Sequence, residues 1–426
     1  MKKNNKHIFS DIIGYEDIKK ALKTIVDVLN NEKKYKKLGV SIPHGLLLYG
    51  SPGTGKTSIA NEILNNVINR ETYIIRKTKS DGCFIEYMNE IFEEAIINQP
   101  AIILLDDLDK FSSDDNRSNQ EEYVAVQSLI DEIKNDDVFV LATVNDLLAL
   151  PRSLRRAGRF DFQFKIDKPK EEDAYNIFNY YLKKKKISND VNIKKLSYIL
   201  TNTSCAELEK VCNQAGIYAG YKNKDEIDMD ELLRASLELK YETNVENISE
   251  DDSYSLNTAY HEAGHALIGE LLEPGSISFI TIAKNNSDTK GITIFHENED
   301  YFQDITFMQN RVKSLLAGKA SIEIVFNTCD VGANSDIRRA YDITKRLIDN
   351  YCMFDFNSWI DIYEETPEKV KESKASNTMN LMNKYYNEVK EMLIANKRIL
   401  DKLANELNNK KILFQDEIRN IIKGEL

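Results

Sequence analysis

Short apolar runs alternate with longer amphipathic stretches through the first 170 residues. Five runs have the length of strands, at 45–49, 72–75, 101–105, 138–142 and 162–166. Their spacing leaves room for a helix between successive runs, and runs that are apolar throughout are typical of strands buried on both faces. The pattern therefore predicts an α/β domain in which helices cover a parallel sheet.

The pattern changes at residue 171, and helical periodicity alone continues to about residue 239. Residues 240–253 are polar and acidic, which is typical of a linker. A mostly helical region follows, with a β-rich insert at 278–295 whose two apolar runs flank a polar turn at 285–288; an amphipathic helix is predicted from 379 onward. We predict four segments: an α/β domain at 1–170, a helical lid at 171–240, a linker at 241–253 and a mainly α-helical domain at 254–426.

Composition limits the classes of partner. The 426 residues carry a net charge of −12, which argues against nucleic acid because phosphate binding needs clustered Lys and Arg. No run approaches the roughly 18–20 apolar residues of a membrane span, so none is expected. The five cysteines are odd in number and lack C-x-x-C spacing, which favours a reducing, cytoplasmic setting.

Residues 50–57 read G-S-P-G-T-G-K-T and directly follow the first predicted strand. Glycines let backbone N–H groups close around phosphate oxygens. Lys56 then reaches the β- and γ-phosphates of ATP, and the Thr57 hydroxyl binds Mg²⁺. A Gly-rich turn is the alternative, but a strand before and a helix after favour the phosphate loop. The predicted nucleotide contacts here are Pro52, Gly53, Thr54, Gly55, Lys56, Thr57 and Ser58.

The apolar run at 101–105 ends in two acids, Asp106 and Asp107. A buried strand that ends in an acid places Asp106 at the carboxyl edge of the sheet, beside the Mg²⁺. The acids alone could be a polar exit from a strand. Next to a phosphate loop, they are better explained as part of the nucleotide site.

Residues 261–265 read H-E-A-G-H within a helical pattern. His261 and His265 are four residues apart, so both imidazoles project from one face and can share a zinc ion. Zinc lowers the pKa of a coordinated water to about 7, and Glu262 is placed to take its proton. We expect no catalytic role for His7, His44 and His296.

Zinc needs a third protein ligand. Asp336 begins a helical pattern, so physical reasoning alone favours a carboxylate that caps a helix N-terminus.

These motifs, together with residues 9–14 and 150–161, resemble the FtsH family of AAA+ zinc metalloproteases from residue 9 to about 422. The resemblance implies an AAA+ P-loop domain with an all-α lid, followed by a mainly α-helical zinc metallopeptidase domain. Residues 9–14, with Ile13 and Gly14, resemble the entry to the nucleotide site. Arg156 and Arg159 match the arginine fingers, and Asn145 matches the polar sensor on the fourth strand.

The resemblance also implies that Asp336 is the third zinc ligand, and that residues 290–294 form an edge strand beside the zinc cleft. An extended substrate could pair with such an edge. One Zn²⁺ per subunit, ATP and Mg²⁺ are the implied cofactors. Arginine fingers act on a neighbouring subunit, so a ring is implied, usually a hexamer, with proteins or peptides as substrates.

Three features depart from the family pattern. The membrane-spanning amino terminus of the family is missing, and Asp107 stands where Glu is usual. The segment at 79–84 is a shortened counterpart of the pore loop, with Phe84 as the candidate gripping aromatic and Tyr87 expected to pack in the domain.

The sequence thus predicts an ATP-dependent zinc endopeptidase for unfolded or loosely folded proteins. Two alternatives stay open: a zinc peptidase that ATP only regulates, and a remodelling ATPase with a silent metal site.

Overall fold

Among the residues that the structure describes, five parallel strands form one sheet between residues 45 and 165, as the apolar runs predict. We describe the protein from a computed structural model that covers residues 8–77, 83–111, 120–156, 158–242, 253–283, 291–295, 304–329, 331–353 and 367–425. The strands are β1 Gly45–Tyr49, β2 Glu71–Ile75, β3 Ala101–Leu105, β4 Val138–Val144 and β5 Phe162–Lys165. Their order in the sheet is β2-β3-β4-β1-β5.

Helices cover both faces of this sheet, which explains why its central strands are apolar throughout. Leu47 points to a core shared with the helices on one face, whereas Leu46 and Leu48 point to the core on the other face. The helices of this part of the chain are α1 Glu16–Asn30, α2 Glu32–Lys36, α3 Lys56–Asn66, α4 Phe84–Ile97 and α5 Gln120–Glu132.

Four helices follow the sheet, in the region that the periodicity predicts to be helical. They are α6 Glu171–Leu182, α7 Ile193–Ile199, α8 Cys205–Tyr221 and α9 Met229–Tyr241. Helix α8 begins with a capping box, in which Ser204 and Glu207 satisfy each other's backbone N–H groups.

The chain divides into two compact units, residues 1–193 with 200–229 and residues 194–199 with 230–426. The predicted domain boundaries at 170, 240 and 253 stay a prediction, and residues 243–252 of the predicted linker lie outside the described residues.

The described part of the second unit is mainly helical and contains one small antiparallel sheet. Its further helices are α10 Ser253–Leu272, α11 Ile305–Phe326, α12 Asn334–Asp349, α13 Glu368–Ala395, α14 Lys397–Lys410 and α15 Gln415–Lys423. Strands β6 Ile277–Thr281 and β7 Ile292–Phe295 form the predicted β-rich insert, and the predicted turn at 285–288 lies outside the described residues. The short strand β8 Ile412–Phe414 interrupts the predicted C-terminal helix and pairs with β6, which leaves β7 at the edge.

The structure contradicts the predicted environments of two aromatic residues. Phe84 is only 7% exposed and packs edge-on against Phe111, with ring centroids 4.8 Å apart. Tyr87 is 40% exposed. The buried stripe of α4 contains Phe84, Met88, Phe92 and Ala95, and Tyr87 lies off this stripe. Phe84 is therefore a core residue and not a gripping aromatic. Residues 79–82 of the predicted pore loop lie outside the described residues.

Candidate active sites

Two clusters of predicted site residues form in the structure, one in each unit. The first lies at the carboxyl edge of the parallel sheet, where the loop after β1 leads into α3. Gly53 and Gly55 have φ angles of 76° and 95°, which glycine adopts without strain. Thr54 and Lys56 are buried, whereas Pro52, Gly53 and Ser58 are exposed. The loop thus has the backbone form of a phosphate cradle at a helix N-terminus.

Lys56 is held within this loop. Its Nζ atom donates hydrogen bonds to the carbonyl oxygens of Gly50 and Ser51, at 2.7 and 2.8 Å. Burial lowers the pKa of its ammonium group, although Asp107, Asp109 and Asp106 oppose this shift. The amine is therefore already located at the loop where phosphates would bind.

Asp106 is 1% exposed and lies at the end of β3. Its Oδ1 atom accepts hydrogen bonds from Thr57 at 3.2 Å and Thr143 at 2.7 Å. Burial alone would raise the pKa of this carboxyl group, but the hydrogen bonds from Thr143 and Arg76 lower it overall. Thr57 and Asp106 are thus adjacent, as a shared Mg²⁺ site requires.

Asp107 lies beside this pair with a left-handed backbone, at φ 55°. Its carboxylate accepts hydrogen bonds from Asn145 at 3.3 Å and from Lys110 at 2.6 Å. Its backbone N–H donates to Thr143 at 2.8 Å. The structure therefore brings together the two acids and the predicted sensor residue Asn145.

Residues 9–14, the predicted entry to the nucleotide site, are followed by Tyr15, which contacts the phosphate loop. The sequence pattern did not indicate a role for Tyr15. Gly14 is buried against Asp173, and the Tyr15 hydroxyl donates to the Thr54 carbonyl at 3.3 Å. Ile13, next to Gly14, is partly buried. The first turn of α8 also contacts the loop, because the Ala206 N–H donates to the Gly53 carbonyl at 3.1 Å.

The two predicted arginine fingers lie outside this cluster. Arg159 forms a two-pronged ion pair with Asp131 of its own chain, at 3.0 and 2.7 Å. This pairing holds the pKa of Asp131 well below its usual range. Arg156 is exposed.

The second cluster contains the two histidines and Asp336. Helix α10 presents His261 and His265 on one face, and Asp336 comes from the first turn of α12. Oδ2 of Asp336 lies 3.3 Å from His261 Nε2 and 3.4 Å from His265 Nε2. The N-cap residue of α12 is Ala333, so Asp336 is not in the capping position. Burial alone would raise the pKa of Asp336, but its contacts with the two imidazoles hold it well below the usual range.

This donor set fits a zinc ion. The three ligand atoms lie within 4.8 Å of one another, and two imidazoles with one carboxylate are a common catalytic zinc set. His265 Nδ1 lies 2.6 Å from the Ser314 carbonyl oxygen. A proton donated there leaves Nε2 free to bind metal. A Cβ atom on Gly318 would lie 2.5 Å from the Nε2 atoms of both histidines, so the neighbouring helix α11 leaves room for an ion only because residue 318 is glycine.

Glu262 projects from the same helix as the histidines and is 6% exposed. It accepts a hydrogen bond of 2.5 Å from Thr293, on the edge strand β7. Burial raises the pKa of Glu262, while His261 and His265 oppose this shift. Helix α10 therefore places the Glu262 carboxyl group next to the candidate metal ligands, and the hydrogen bond from Thr293 joins that group to β7.

Two family models match the chain. Residues 46–168 match the ATPase family associated with various cellular activities (AAA), and residues 248–421 match Peptidase family M41. Among the described residues, no helix is long and apolar enough for a membrane span.

Three curated relatives align over nearly the whole chain. ATP-dependent zinc metalloprotease FtsH 2 of Thermoanaerobacter sp. (strain X514) is 28% identical over 98% of this chain and 83% of its own length. FtsH 3 of Synechocystis sp. is 27% identical over 97% of this chain and 72% of its own length. FtsH of Helicobacter pylori is 28% identical over 97% and 70%.

Proposed function

Given that the chain belongs to the FtsH-type family of AAA+ ATP-dependent zinc metalloproteases, we propose which of its residues carry the two activities. Zn²⁺, ATP and Mg²⁺ are the cofactors of this enzyme class. We assign one zinc per chain to His261, His265 and Asp336. The observation that carries this assignment is the convergence of one Asp336 oxygen on both Nε2 atoms.

Peptide hydrolysis needs a base, an oriented substrate and a metal. When bound, zinc lowers the pKa of a coordinated water to about 7 and polarises the peptide carbonyl. Glu262 accepts a proton from the attacking water and passes it to the leaving amine. Thr293 orients that carboxylate. The edge strand β7 pairs with an extended substrate through backbone hydrogen bonds.

Nucleotide hydrolysis is assigned to the edge of the parallel sheet. Lys56 binds the β- and γ-phosphates, while Thr57 and Asp106 hold Mg²⁺. Asp107 orients the attacking water, and Asn145 orients Asp107. The loop residues Pro52, Gly53, Thr54, Gly55 and Ser58 surround the phosphates, and Ile13 and Gly14 lie at the entry to the nucleotide site.

Ring formation completes the nucleotide site in this proposal. Arg156 and Arg159 reach the nucleotide of a neighbouring subunit, because a guanidinium near the γ-phosphate stabilises charge in the transition state. For this, Arg159 must break its ion pair with Asp131. That ion pair is therefore the resting position of the arginine finger. We propose a hexamer, in keeping with the ring assembly of AAA proteins.

We propose unfolded or loosely folded proteins as substrates. Pulling on a folded chain needs a bulky side chain at the pore, but the connection at 76–83 contains no aromatic residue and Phe84 is buried. ATP therefore delivers substrate with little unfolding force.

We further propose a cytoplasmic location, supported by five free cysteines, and no nucleic-acid partner, supported by the net charge of −12.

Zinc content tests the proposed ligand set. Asp336→Ala removes one of three ligands, so the purified variant should retain well under half of the wild-type zinc after dialysis. Asp342→Ala is the matched control, because Asp342 is an exposed acid on the same helix. Equal zinc content in both variants would show that Asp336 is not a ligand.

A further inference from the structure

Arg76 forms an ion pair with the acid that we assign to Mg²⁺. Ile75 of β2 lies opposite Leu105 of β3, and the Asp106 N–H donates to the Ile75 carbonyl at 3.0 Å. Arg76 and Asp106 therefore leave the sheet side by side. Nε of Arg76 donates to Asp106 Oδ2 at 3.0 Å, and Nη2 donates to the same oxygen.

These bonds use the full capacity of the Asp106 carboxylate. A carboxylate offers about four lone-pair sites, two on each oxygen. Oδ1 accepts from Thr57 and Thr143, while Oδ2 accepts twice from Arg76. Mg²⁺ or one of its waters therefore has no acceptor site on Asp106 until a bond breaks.

Arg76 is the partner that can leave. Its side chain is 56% exposed, whereas that of Asp106 is 2% exposed at the end of a central strand. Lys77, the next residue, is anchored by hydrogen bonds to the Phe111 carbonyl at 2.7 Å and to Glu122 at 2.6 Å. The backbone of Arg76 is therefore held between β2 and Lys77, while its guanidinium can move into solvent or toward a phosphate.

We propose that Arg76 is a resident cation of the nucleotide site, which competes with Mg²⁺ for Asp106 and lets ATP bind without the metal. In the absence of Mg²⁺, its positive charge stands beside the phosphates and offsets their repulsion from Asp106 and Asp107. When Mg²⁺ arrives, it must displace the guanidinium, so a higher concentration of free Mg²⁺ is needed. The inference rests on the assignment of this cluster as the ATP site.

Nucleotide binding tests the inference without reference to catalysis. A fluorescent, non-hydrolysable ATP analogue is titrated into the full chain in EDTA, and then at increasing free Mg²⁺. Arg76→Gln should bind the analogue about tenfold more weakly than wild type in EDTA, and reach its half-maximal Mg²⁺ effect at about tenfold lower free Mg²⁺. Arg76→Lys keeps the charge but loses the paired bonds, so it should be intermediate.

Lys165→Gln is the matched control. Lys165 is also a largely exposed cation in the same unit, and its ion-pair partner is the exposed Asp167. The inference is overturned if Arg76→Gln and Lys165→Gln both match wild type in EDTA and in the Mg²⁺ titration. If wild type and Lys56→Ala bind the analogue equally poorly at all Mg²⁺ concentrations, the ATP site itself is wrongly assigned.

Discussion

Thr293 donates a hydrogen bond of 2.5 Å to the Glu262 carboxylate, and so connects the edge strand β7 to α10, the helix that carries the two histidines. An extended substrate would pair with β7, and Glu262 is the residue that we assign as the base. The bond therefore connects the substrate strand with the base. Substrate pairing and base orientation therefore depend on the same short strand.

Thr293→Val removes the hydroxyl but keeps the shape of the side chain. We expect kcat for peptide cleavage to fall about tenfold, because a hydrogen bond to a charged group is lost. KM and zinc content should stay near the wild-type values. Thr293→Ser restores the hydroxyl and should restore kcat. Unchanged kcat in Thr293→Val would show that Glu262 is oriented by other contacts.

Gly318→Ala adds one methyl group to a helix that lies against the two histidines. The new Cβ atom would be 2.5 Å from both Nε2 atoms, in the space that the metal needs. We expect zinc content and peptide cleavage to fall together, at least tenfold for cleavage, while helix propensity improves slightly. Gly220→Ala makes the same change in α8, where a Cβ atom meets nothing within 4 Å, and should retain full activity. Normal zinc content in Gly318→Ala would place the metal elsewhere.

Asp107→Glu lengthens the acid that we assign to the attacking water. Asp is one methylene shorter than Glu and holds that water less well, so the substitution should speed ATP turnover several-fold. Phosphate release measures the rate, and the affinity for a non-hydrolysable analogue should not change. Slower turnover in Asp107→Glu would show that Asn145 and Lys110 shape the pocket around the shorter acid.

Phe84→Ala should destabilise the first unit, which contains the candidate nucleotide site, by about 3–5 kcal/mol, the usual cost of removing a buried phenyl ring. The measurement is the midpoint temperature of thermal unfolding. The transition of this unit is identified by an ATP analogue, because a ligand that binds the folded unit raises its midpoint. Tyr87→Ala is the matched control on the same helix, since Tyr87 is 40% exposed and its loss should barely move the midpoint. A stable Phe84→Ala protein that cleaves peptides but not proteins would restore a gripping role to Phe84.

Local pattern was enough to predict the sheet and the two motifs. The central strands β1, β3 and β4 are continuous apolar runs, and the phosphate loop at 50–57 and the H-E-A-G-H motif at 261–265 each lie within eight consecutive residues. The short strand β8 was missed because Ile412–Phe414 is only three residues long and lies within an amphipathic pattern. The error at Phe84 arose because the residue begins its helix, where sequence alone does not show whether the first turn is covered.

Contacts between distant residues could not be read from the sequence. The bond from Thr293 to Glu262 joins residues 31 positions apart, and the pair formed by Arg76 and Asp106 spans 30 positions. The sequence pattern assigned no role to Gly318, because that role depends on how closely α11 approaches the histidines. For Asp336, the family resemblance gave the ligand assignment, whereas residue-level reasoning favoured a helix cap.

Glu262→Gln provides the most direct test that this chain is an ATP-dependent zinc endopeptidase. Casein degradation is measured with ATP, with ADP and without nucleotide, and zinc content and phosphate release are measured on the same samples. We predict that wild type degrades casein only with ATP, and that Glu262→Gln keeps its zinc and its ATP hydrolysis but cleaves no casein. Casein cleavage by Glu262→Gln at the wild-type rate would contradict the account.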